Sequence, residues 1–81
     1  TGTENQHLLL VVRGSNTDLD QIQKIVGYHT NSNLVKAKNI LADSFELVYE
    51  VEIPETNSNK VIETIFELGG IDSVNLLAQN A

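Results

Sequence analysis

The stretch from Phe45 to Ile53 constrains this chain more than any other. Phe45, Leu47, Tyr49, Val51 and Ile53 alternate with Glu46, Val48, Glu50 and Glu52. A period of two sends successive side chains to opposite sides of a pleated strand, so the odd positions form an apolar face and the even positions a largely charged one. A slip of one residue would drive Glu46, Glu50 and Glu52 into the core, which fixes the facing. Such a strand needs neighbours and a covering layer, and a chain of 81 residues must supply both within one small domain.

Reading outward from this strand gives the other elements. Residues 1–6 are polar and aperiodic and read as a disordered N-terminal segment, leaving 7–81 as a single domain. From His7, the apolar run Leu8 to Val12 reads as a central strand, closed by Arg13-Gly14-Ser15-Asn16. Thr17-Asp18-Leu19-Asp20 resembles a capping box, with the Thr17 hydroxyl as cap. The stripe Leu19, Ile22, Ile25, Val26 then follows the 3.6-residue helical period, with Gly27 and the polar run Thr30 to Asn33 as its exit.

Leu34 to Ala42 reads as the strand before the central alternation, with Val35, Ala37 and Leu41 inward and Lys36, Lys38 and Ile40 outward. A hairpin pairing Ala42 with Glu46 sets Lys38 opposite Glu50 and Lys36 opposite Glu52. Pro54 ends the alternation, having no amide to donate. Val61, Ile62, Ile65, Phe66 and Leu68 form a second helical stripe, stopped by Gly69-Gly70, and Ile71 to Ala78 reads as a half-buried edge strand.

The order strand, helix, strand, strand, helix, strand is that of a ferredoxin-like α+β sandwich. Right-handed crossovers place the four antiparallel strands in spatial order 4-1-3-2, with both helices on one face. The uncovered face then carries Leu9, Val11, Ile40, Val48 and Leu77, an apolar patch of ~300–600 Å² that suits a protein partner, either a second copy or another domain of the same protein. An inverted first strand would put Leu8, Leu10 and Val12 there instead.

Composition excludes several activities. Eleven acidic against five basic residues give a formal charge of −6, which repels phosphate backbones and anionic lipid headgroups, and Arg13 is the one arginine; nucleic acid is not an expected partner. Without cysteine there is no thiol nucleophile, disulfide or thiolate metal site. His7 and His29 show no metal-ligand spacing, and the glutamate row reads as a solvent face balanced by lysines, so no metal, cofactor or enzymatic activity is expected. The best small-molecule site is the turn Gly14, Ser15, Asn16, Thr17 and Asp18, where a strand feeds a helix start. No apolar run reaches the ~20 residues that span a bilayer.

From Leu8 to Ala78 the pattern resembles the ACT-type regulatory domain, a ferredoxin-like module. Within that group, Phe45-Glu46-Leu47-Val48-Tyr49-Glu50-Val51 and Gly70-Ile71-Asp72-Ser73-Val74-Asn75-Leu76-Leu77 are similar to the soluble C-terminal domain of bacterial multi-pass membrane proteins, MgtC-like or associated with polyphosphate-polymerase-like proteins. The resemblance implies a non-catalytic regulatory or oligomerisation domain on the cytoplasmic side of a larger chain, touching the membrane only through a transmembrane part outside this sequence. The alternative it implies is an effector-sensing domain that uses the Gly14 to Asp18 turn, although that turn replaces the Asp-x-Pro-Gly-like signature of effector-binding members.

Overall fold

The computed structural model describes residues 5–79. Its elements are β1 (Asn5–Gly14), α1 (Leu19–His29), β2 (Ser32–Ile40), β3 (Phe45–Pro54), α2 (Ser58–Phe66) and β4 (Ile71–Ala78), with a 3-10 turn at Glu55–Asn57. β3 carries the central alternation into three dimensions: every odd residue from Phe45 to Ile53 is buried and every even one partly exposed. The strands form one antiparallel sheet in the order β2-β3-β1-β4. This is the ferredoxin-like βαββαβ arrangement, in the strand order that right-handed crossovers dictate.

One core holds the two layers together. Leu10 and Val12 of β1, the odd residues of β3, Ile22 and Val26 of α1, and Val61 and Ile65 of α2 pack into a single cluster. Each fully buried aliphatic side chain contributes about 1.5–3 kcal/mol, which is how a chain without disulfides meets its ordering entropy. Both helices share this cluster with one face of the sheet. The phase of β1 follows: Leu8, Leu10 and Val12 pair with Val51, Tyr49 and Leu47 on the helix face, and Leu9 and Val11 lie on the uncovered face.

The differences from expectation sit at element ends and in β2. Asn5 and Gln6 belong to β1, paired with Pro54 and Ile53, whereas the sequence pattern assigns them to a disordered segment; residues 1–4 of that segment lie outside the described residues. The cap of α1 is Asp18, whose Oδ1 accepts from the Asp20 amide at 2.9 Å, and not Thr17. α1 also runs through Gly27 to His29. Its last carbonyls are met by side chains: His29 Nδ1 donates to Ile25 O, Thr30 Oγ1 to Val26 O and Asn57 Nδ2 to His29 O, so no glycine stop is required. Phe66, expected in the apolar stripe of α2, is 45% exposed.

β2 departs furthest. A bulge between Val35 and Ala37 reverses its facing partway along. Val35 opposes Tyr49 on the helix face, but beyond the bulge it is Lys38 and Ile40 that oppose the core residues Leu47 and Phe45. Ile40 is therefore not on the uncovered face, and Ala37 is, opposite Val48. The register also differs from that of the expected hairpin: Ile40 pairs with Phe45, and Lys36 lies 3.8 Å from Glu50.

Candidate functional site

Two surfaces bring expected site residues together. The first is a cleft of about 310 Å³ between the β1–α1 turn and the β2–β3 hairpin. Ser15, Asn16, Thr17 and Leu19 form one wall, and Ile40 to Phe45 form the other. Of the five turn residues singled out from sequence, Ser15, Asn16 and Thr17 line this cleft; Gly14 and Asp18 do not.

The shape of the turn is set by its neighbour, the α2–β4 turn. The Ser15 amide donates to Gly70 O at 2.7 Å. The Thr17 hydroxyl donates to Gly69 O at 2.9 Å and also lies 3.0 Å from Ser15 O. A Cβ at Gly14 would meet Gly70 O at 2.3 Å, and one at Gly70 would meet Ser15 O at 2.2 Å, so the two loops interlock only because both positions are glycine. Gly69 and Gly70 adopt φ of +83° and +77°, and Asn16 sits at +51°, a region that asparagine tolerates.

This bracing limits the chemistry of the cleft. The helix start is already occupied by the Asp18 carboxylate, and the Thr17 hydroxyl is committed to carbonyls, so two donors that an incoming anion would use are taken. What remains is a small, open cleft at the low end of ligand-pocket sizes, with Ser15, Asn16, Asp43 and Ser44 against Leu19 and Ile40. Neither histidine reaches it: His29 ends α1, one helix length or roughly 15 Å from the turn, and His7 opposes Glu52 in the sheet. Among the described residues no three histidine, aspartate or glutamate side chains gather as a metal-binding group.

The second surface is the uncovered face of the sheet. Val11 opposes Val48 and Leu9 opposes Leu77, which brings together four of the five residues expected there. Val11 is only 7% exposed, because its neighbours on both adjacent strands enclose it, while Leu77 is 49% exposed at the β4 side. Leu34, opposite Glu50, adds an exposed leucine that is not among the five expected on this face. It precedes the β2 bulge, so the same alternation that turns Lys36 outward also places it on this face.

Polar groups frame these side chains. Arg13 Nη2 lies 2.7 Å from Glu46 Oε2, and Asn39 donates to the other carboxylate oxygen at 2.9 Å. These hydrogen bonds, with that of Asn39 foremost and the charge of Arg13 added, hold the Glu46 carboxyl below the usual glutamate range. Glu50 accepts from Gln79 at 3.1 Å beside Lys36, and Glu52 accepts from Asn5 at 3.3 Å. The glutamate row is thus a set of paired surface carboxylates. On the other face, burial pushes the Tyr49 hydroxyl upward in pKa.

The fold and these two surfaces define a ferredoxin-like α+β domain with one helix-covered face and one bare one. Comparison with family models, with curated proteins and with solved structures finds no match for the chain. No helix among the described residues is long and apolar enough to cross a membrane.

Proposed function

We propose that this domain is a non-catalytic regulatory or assembly module that associates with a second copy through its uncovered sheet face. The observation that carries this reading is the cluster of Leu9, Val11, Val48 and Leu77, with Leu34 on the far side of Glu50, on a face that no described element covers. Its surroundings hold both signs of charge, Arg13 and Lys36 beside Glu46, Glu50 and Glu52, so a copy turned over can place basic groups against acidic ones despite the net charge. Val48→Glu should abolish this contact while leaving the helix-side core intact. Sedimentation of the wild-type and variant chains at matched high concentration tests it, and equal masses would count against stacking of the faces. The setting implied by the family resemblance, the cytoplasmic side of a larger bacterial membrane protein, belongs to the same proposal; membrane-spanning segments in the full-length sequence would support it.

A second reading is favoured by the cleft itself, which joins Ser15, Asn16 and Thr17 to the β2–β3 hairpin. Here the domain senses a small, uncharged polar effector. Thermal-shift measurements with small uncharged polar compounds such as polyols and nucleosides, set against amino acids, nucleotides and divalent ions, test it, because any ligand selective for the native state raises its stability by mass action.

A further inference from the structure

We propose that the free edge of β4 pairs antiparallel with β4 of a second copy, joining two four-stranded sheets into one continuous sheet. It rests on the assembly reading above for the identity of the partner but uses a different surface.

The two edges of the sheet are guarded unequally. An edge strand offers unpaired N–H and C=O groups, which folds blunt with lysines, prolines and bulges. β2 carries Lys36 and Lys38 and a bulge between Val35 and Ala37. β4 is irregular only at its start, near Asp72. From Ser73 to Ala78 its ladder with β1 is regular and contains neither charge nor proline. Among the described residues no strand lies on its far side.

Charge and symmetry select a second copy as the occupant. Two chains of net charge −6 repel one another, so close approach is favoured where the touching surface is uncharged. A two-fold axis perpendicular to the sheet keeps both uncovered faces on one side and sets residues of like parity opposite each other. With the axis at Asn75, that residue opposes its own copy and Leu77 opposes Ser73, with no like charges in contact. On β2 the bulge breaks that parity: Lys36 reaches Glu50 on the uncovered face while Lys38 opposes Leu47 on the helix face, so the same operation finds no regular ladder of like-facing residues there. Pairing at β4 also brings the half-exposed Leu77 of each copy into one enlarged apolar face.

The test uses the Val48→Glu chain, in which face stacking is removed and the edge is read alone. Sedimentation up to about 1 mM should give a dimer mass. Hydrogen exchange followed by NMR should show the β4 amides that point away from β1 slowing as concentration rises. Adding Asn75→Lys should restore the monomer mass with an unchanged circular dichroism spectrum. A monomeric Val48→Glu chain whose β4 amides exchange at a concentration-independent rate overturns the proposal, as does a dimer that survives Asn75→Lys. If Val48→Glu does not fold, exchange on the wild-type chain decides between pairing and its absence, since stacked faces leave the outward β4 amides unprotected. The face contact is judged separately, by comparing wild-type and Val48→Glu masses.

Discussion

The Ser15 amide donates to the Gly70 carbonyl across 2.7 Å, tying the turn after β1 to the turn before β4. These loops are distant in sequence, and their contact braces one wall of the cleft. Gly69 and Gly70 are both left-handed but differ in surroundings: a Cβ at Gly69 meets nothing within 4 Å, while one at Gly70 collides with Ser15 O. Gly69→Ala should therefore cost only the left-handed penalty, about 1–2 kcal/mol. Gly70→Ala should cost more, because the β1–α1 turn must also move. Urea denaturation of the two variants checks the order; equal losses would contradict the interlock.

The start of α1 separates two roles that the sequence pattern merges. Asp18→Ala should lose about 1 kcal/mol as a helix cap, and Asp18→Asn should recover most of it. Thr17→Val removes the hydroxyl that holds Gly69 O and should instead speed exchange of amides in the α2–β4 turn, with the α1 amides little changed. Residue-resolved hydrogen exchange distinguishes the two.

Acid stability should report Glu46. Its folded-state carboxyl titrates below the ordinary glutamate range, so its contribution is fully present above that range and is lost as pH falls through the folded value. Glu46→Gln should flatten this part of the curve of melting temperature against pH. An unchanged acid limb would show that the bonds from Asn39 and Arg13 do not persist in solution.

Tyr49 gives the opposite limb. Its pKa is raised by burial, so the stability tied to its neutral form is intact below the ordinary tyrosine value and declines as pH rises through the folded one. Tyr49→Phe should remove this alkaline loss. Melting curves on either side of the tyrosine range, with absorbance of the phenolate, check it.

Leu10, whose side chain is fully buried in the cluster shared with both helices, sets the scale for the core: Leu10→Ala should cost about 2–5 kcal/mol, while Leu9→Ala on the uncovered face should cost far less. Denaturant midpoints for the pair test the facing of β1.

How much was legible depended on whether a local pattern carried the information. The strict alternation of Phe45 to Ile53 was enough to orient β3, and the strand–helix order was enough to arrange the sheet. Ala37, Lys38 and Ile40 escape the pattern together, because one inserted residue at the β2 bulge inverts every later side chain and leaves no mark in the composition. The cleft was half legible. Ser15, Asn16 and Thr17 follow from turn chemistry, but the hairpin opposite them depends on where β2 stops.

By itself, the amino-acid order determined which residues of β3 had to be inside, since periodic burial is a property of neighbours along the chain. It determined the αβ succession for the same reason. Only the tertiary structure decided that Gly14 and Gly70 touch, that β2 is bulged, and that the Thr17 hydroxyl is spent on Gly69 O instead of capping α1. Those outcomes depend on backbone groups brought together across long sequence separations, where hydrogen bonding and excluded volume act between segments that no local period relates.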